Sequence, residues 1–105
     1  MNRIVFRNAS IFDGSGDPAF RGEVVVEGNR VAAVARGAQQ IAPGADEVDC
    51  GGATLMPGLT EAHAHLSFTN CSDVTTMGDL PVEEHVLLTA RHARLMLDSG
   101  FTSCF

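Results

Sequence analysis

His63 and His65, in the run Leu55-Met-Pro-Gly-Leu-Thr-Glu-Ala-His-Ala-His-Leu66, are the residues whose type and spacing could do chemistry. On a β-strand the side chains of residues i and i+2 leave the same face, roughly 6.6 Å apart along the backbone. Two imidazoles so placed can converge on one metal ion. Two ligands do not fill a zinc sphere of four, and the same pair at a strand end also reads as two hydrogen-bonded histidines without chemistry. What surrounds them has to decide.

The chain has 105 residues, of which 45% are hydrophobic and 19% charged, with no low-complexity tract. That is a globular composition, long enough to bury a modest core. The formal net charge of -6, with all seven basic residues arginine and scattered, predicts neither a nucleic-acid surface nor one for anionic membranes. No run approaches the roughly 20 apolar residues of a membrane span, and the N-terminus lacks a signal peptide's pattern, so a cytoplasmic location is expected. Cys50, Cys71 and Cys104 have neither redox-pair nor zinc-ribbon spacing and read as reduced thiols.

The first part of the chain predicts β structure. Arg3 to Arg7 alternates with period two, and Ala9 to Phe12 either continues that strand or forms its own. Gly22 to Gly28 is rich in β-branched residues, and Asp13 to Pro18 is a turn. Gly28-Asn-Arg30 reads as a hairpin turn into Val31–Ala35, and Glu47–Cys50 and Ala53–Met56 as two short strands. Residues 1–56 therefore suggest a small β-sandwich or meander.

After Pro57-Gly58, Leu59 to Leu66 reads as a short strand carrying both histidines, and Ser67 to Leu80 as a polar loop. Pro81 to Ser99 predicts a helix, with Asp79 as its cap, Glu83 and Glu84 at its positive end and Gly100 beyond it. Val82, Val86, Ala90, Ala93 and Leu97 mark one apolar face, and Leu88 and Leu95 a second. A helix apolar on two sides expects two packing partners. Phe101 to Phe105 begins another strand, so residues 57–105 form a βα unit and a second parallel strand. Such strands need neighbours to close a sheet, and the sequence predicts an incomplete fold.

Those histidines at the end of a first barrel strand would point into the barrel mouth. Here the chain resembles the N-terminal part of an amidohydrolase-superfamily enzyme of the imidazolonepropionase-like and prolidase-like group. Besides the histidine run, Asn8-Ala-Ser-Ile-Phe-Asp-Gly14, Gly22-Glu-Val-Val-Val-Glu-Gly-Asn-Arg-Val-Ala-Ala-Val34 and Gly100-Phe-Thr-Ser103 carry the likeness, which covers essentially the whole chain. It implies an α/β fold with a β-sandwich, residues 1–56, flanking a (β/α)8 barrel that residues 57–105 begin. It also implies a hydrolase of C–N bonds other than ordinary peptide bonds, or of dipeptides. One or two divalent ions, most often zinc, would be bound by His63 and His65, a small molecule would be the substrate, and the complete enzyme would be a homo-oligomer. In the family the ion lowers the pKa of bound water and polarises the scissile carbonyl.

Glu61 stands where the family more often has aspartate. It would either orient an imidazole or be a buried structural carboxylate. The family's later ligands, two further histidines, an aspartate and often a carboxylated lysine, have no counterpart here, and the chain has no lysine at all. His85 and His92, seven residues apart on a helix expected to pack outside the barrel, read as solvated or interfacial rather than as ligands. By the resemblance Ser67, Phe68, Thr69, Asn70 and Cys71 occupy the first βα loop, where they would shape a substrate pocket or simply be a polar loop. Cys71 has no histidine assignable to activate it.

The leading reading is thus the N-terminal portion of a zinc-type amidohydrolase, inactive as these 105 residues alone. The alternatives are a non-catalytic scaffold of the same fold, like the dihydropyrimidinase-related proteins, or one subunit of a split enzyme or a free β-sandwich binding module.

Overall fold

A computed structural model describes residues 2–39, 42–68 and 73–105. The chain forms two compact units, Met1–Pro57 and Gly58–Phe105.

In the first unit, β1 (Arg3–Ile11), β2 (Phe20–Glu27) and β3 (Arg30–Arg36) form an antiparallel meander. The β2–β3 hairpin turns at Gly28, whose φ of 60° suits a residue without a Cβ. Two later strands, β4 (Asp46–Asp49) and β5 (Thr54–Leu55), both return to pair in parallel with β1. The result is one mixed sheet of order β3-β2-β1-β4 with β5 also on β1. The expected meander is present, but no second sheet faces it among the described residues of this unit. The segment from Ala9 to Ile11 belongs to β1 rather than to a strand of its own.

A bulge interrupts β1. Pairing with β2 slips between Phe6 and Ala9, and Asn8 adopts a left-handed φ of 54° there. The slip exchanges the faces of β1. Before it, Val5 packs with Val25 and Ala42; beyond it, Ala9 and Ile11 join Val24 on the face where Phe6, Phe20 and Leu55 also gather. Both faces of the β1–β2 pair thus contain apolar clusters. The edge strand β4, Asp-Glu-Val-Asp, is charged and exposed, which discourages pairing with another chain.

In the second unit β6 (Leu59–Glu61) pairs in parallel with β7 (Phe101–Cys104), and α1 (Val82–Asp98) joins them. A strand, a helix and a second parallel strand follow one another in the order the sequence predicts. The helix ends through a left-handed Gly100, φ 91°, whose N–H donates to Leu97 O at 3.0 Å. Its start differs: Pro81 occupies the cap position without a side-chain bond, and Asp79 instead ends a 3-10 helix, Val74–Asp79, within the segment expected to be a loop. Asp73 caps that short helix, accepting the N–H of Thr75 at 2.9 Å.

The covered side of α1 also differs from the apolar pattern. His85, Leu88, Thr89, His92, Ala93 and Met96 are half-buried, whereas Val82, Val86, Leu95 and Leu97 are exposed. The inward face has the two histidines along it. No helix among the described residues is long and apolar enough to cross a membrane.

Candidate metal centre

The strand leading to the histidines is shorter than the sequence predicts. β6 stops at Glu61, and His63 and His65 lie just beyond it, yet pairing with the neighbouring strand continues. Phe105 N–H donates to Glu61 O at 3.0 Å and Ala64 N–H donates to Phe105 O at 2.7 Å. An unbroken parallel ladder would use the N–H of residue 63 for the second bond, so one extra residue is inserted. The N–H of His63 goes instead to Glu61 Oε1, at 3.2 Å. A local side-chain bond has replaced a ladder bond. Glu61 therefore engages the main chain of the histidine segment.

The two rings meet. His63 Nε2 and His65 Nε2 are 2.9 Å apart, with ring centroids 4.8 Å apart at an interplanar angle of 67°. That is a hydrogen bond in which one ring donates and the other accepts. It also brings both nitrogens to one place. An ion about 2.05 Å from each nitrogen would subtend about 90°, and a tetrahedral angle needs the nitrogens about 0.4 Å further apart. Exposed side chains can open by that amount. Two convergent imidazoles fit a divalent ion as part of its sphere; among the described residues no group of three or more His, Cys, Asp or Glu side chains is gathered to complete it.

Of the loop residues expected at the site, Phe68 stacks on His65, with centroids 4.1 Å apart and planes 13° from parallel. Its N–H donates to His65 O at 2.9 Å, closing a turn in which Ser67 O faces the helix. Thr69, Asn70 and Cys71 lie outside the described residues. Cys50 and Cys104 carry free thiols. Thr60 Oγ1 and Ser103 Oγ, 2.7 Å apart, tie β6 to β7 directly below the histidines. His85 and His92, which the sequence presents as solvated or interfacial rather than as ligands, are half-buried, and each donates to a backbone carbonyl in the turn after His65, at 2.5 and 2.8 Å.

No family model matches the chain. It is similar to an N-acyl-D-aspartate deacylase of Alcaligenes xylosoxydans xylosoxydans, 38% identical over 61 residues, which are 58% of this chain and 12% of the relative. It is similar also to an imidazolonepropionase of Thermoplasma acidophilum, 36% identical over 45 residues, 43% of this chain and 10% of that one. Among solved structures, an amidohydrolase superposes with a TM-score of 0.86 at 25% identity, over 98% of this chain and 25% of its own. The matched regions span about an eighth or less of these two curated relatives and a quarter of the solved chain.

Proposed function

Because this chain matches the N-terminal region of amidohydrolase-superfamily enzymes in sequence and fold, we propose that it supplies the first two metal ligands of a hydrolase acting on a C–N bond. The observation that carries the reading is the 2.9 Å approach of His63 Nε2 to His65 Nε2 at the end of a parallel strand. Active sites of parallel barrels assemble at such strand ends. In this proposal residues 1–56 contribute to a β-sandwich and residues 57–105 open the barrel, which the division of the chain after Pro57 supports.

His63 and His65 would hold a divalent ion, zinc first among them, which when bound supplies Lewis acidity and activates water for attack on an amide or cyclic amide. The chain's own contribution is positional. Glu61 fixes the His63 main chain, Phe68 covers one face of the His65 ring, and the parallel pairing holds the strand end. The remaining ligands and the proton-transferring group would lie elsewhere in the full-length protein, so residues 1–105 alone would be inactive. A cytoplasmic site of action is part of the proposal, in keeping with the free thiols of Cys50 and Cys104.

Both similar curated enzymes are named for small amide or imidazolone substrates, and we propose the same class here: an N-acylated amino acid or a cyclic amide. Turnover of a panel of N-acyl-D-amino acids and cyclic amides by the zinc-loaded full-length protein tests this. Chelator-sensitive release of the free acid from one of these classes is expected. No hydrolysis of either class by a protein shown to hold metal would refute the substrate assignment.

A further inference from the structure

His85 and His92 lie two turns apart on one face of α1, yet they reach adjacent peptide groups. His85 Nε2 donates to Ser67 O at 2.5 Å and His92 Nδ1 donates to Leu66 O at 2.8 Å. A carbonyl oxygen only accepts, so both of these ring nitrogens carry a proton. One ring uses its far nitrogen and the other its near one, which lets side chains about 10 Å apart along the axis meet neighbouring carbonyls. Polar rings on the covered face of a helix are costly unless bonded, and these bonds offset that cost.

The two carbonyls belong to the turn that follows His65. In the same turn Phe68 N–H bonds His65 O, and the Phe68 ring lies on the His65 imidazole. Rotation of the peptide groups at Leu66 and Ser67 would therefore carry the stacked rings with it. Both groups are fastened to a helix of 17 residues.

We propose that His85 and His92 are positioning residues, which clamp the Leu66–Phe68 turn and through it hold the His65 ring in its convergent orientation before an ion arrives. The inference rests on the metal reading above for its purpose, but the clamp itself is independent of metal. Preorganisation of this kind strengthens binding by removing the cost of ordering a turn on ligation.

The test uses the full-length protein with His85→Leu and His92→Leu, which remove the donors, and His85→Gln and His92→Asn, which place an amide N–H near the lost ring N–H. Two readouts are taken: Co2+ affinity from its visible absorption, and the His65 ring-proton shifts of the metal-free protein, displaced upfield by the stacked Phe68. The leucine variants are expected to bind Co2+ about 10- to 100-fold more weakly and to lose the upfield displacement, with Gln and Asn restoring most of both. Folded leucine variants with unaltered His65 shifts and Co2+ affinity within about twofold of the parent would overturn the proposal. Should those variants not fold, the unaltered protein decides. Slowly exchanging Hε2 of His85 and Hδ1 of His92 are expected, and rapid exchange of both overturns the clamp. If the parent binds no Co2+ while the His65 shifts still depend on His85 and His92, the clamp stands and the metal reading falls.

Discussion

The ring of Phe68 lies almost flat on that of His65, 4.1 Å between centroids, while His63 meets the same imidazole near edge-on at 67°. One metal-ligand candidate is thus covered on a face by an aromatic and approached at its Nε2 by its partner. Such a stack contributes about 0.5–1.5 kcal/mol beyond the area it covers. Phe68→Ala in the full-length protein is therefore expected to weaken zinc binding about 2- to 10-fold, measured by competition with a chromophoric chelator, and Phe68→Tyr to leave it near the parent value. Equal affinities for Ala and Tyr variants would show that the stack does not hold His65.

Where β6 begins, Gly58 permits a close approach to β7. A Cβ built there would collide with Oγ1 and Cγ2 of Thr102 and come within 2.7 Å of its Cβ. Gly58→Ala is expected to cost about 1–3 kcal/mol of stability, the range for overpacking, in urea denaturation. Thr102→Ala in the same chain removes the two nearest atoms and should return part of the loss. An additive double variant would mean that the two residues do not meet.

Arg7 bridges two strands of the first unit, with Nη1 2.8 Å from Glu23 Oε1 and Nη2 2.9 Å from Glu47 Oε1. Glu23 is 2% exposed, whereas Glu47 is open to water. Partial burial opposes the Arg7 charge, but the bonds to Glu47 and Glu23 outweigh it and hold the guanidinium above its ordinary pKa. Glu23→Ala removes the buried partner and leaves Arg7 held by Glu47, so it is expected to cost more stability than Glu47→Ala, about 1–3 kcal/mol against about 1 kcal/mol or less. Denaturant midpoints for the two variants check the order; a larger loss for Glu47→Ala would contradict it.

These elements differ in how far the sequence revealed them. Strands bounded by glycines and the helix after Pro81 were legible, because period-two alternation, turn residues and end signals are local. The parallel return of β4 and β5 to β1 was not, since it joins residues roughly 40 apart through no local pattern. Asn8 gave no sign of the bulge that exchanges the faces of β1. Apolar spacing marks two faces of α1 but not which of them is covered: Leu88 and Ala93, one from each, are half-buried beside His85 and His92, whose rings donate to carbonyls 18 and 26 residues away. His63 and His65 are legible from their spacing, whereas the residue inserted between Glu61 and Ala64, which breaks the alternation between Glu61 and the histidines, is not.

Asp49 gives the first unit a dependence on acid. The N–H of Gly51 and then the Asn8 amide, bonded to its carboxylate at 2.9 and 3.2 Å, hold its pKa below the ordinary value. A carboxyl depressed in the folded state stabilises fully above its unfolded pKa of about 4 and loses that contribution as pH falls through the lower folded value. The Tm difference between the parent and Asp49→Asn should therefore be largest near neutrality and shrink below about pH 4. A difference constant across that range would rule out this linkage.

Zinc binding by the full-length protein and by its His63→Ala, His65→Ala and doubly substituted forms, measured by equilibrium competition after the fold of each is verified, tests the central claim most directly. Convergent ligation predicts bound zinc in the parent and a loss of about 100-fold or more in affinity for each single variant, the upper end of what losing even an outer partner costs. Undiminished zinc content and affinity in the double variant would contradict it.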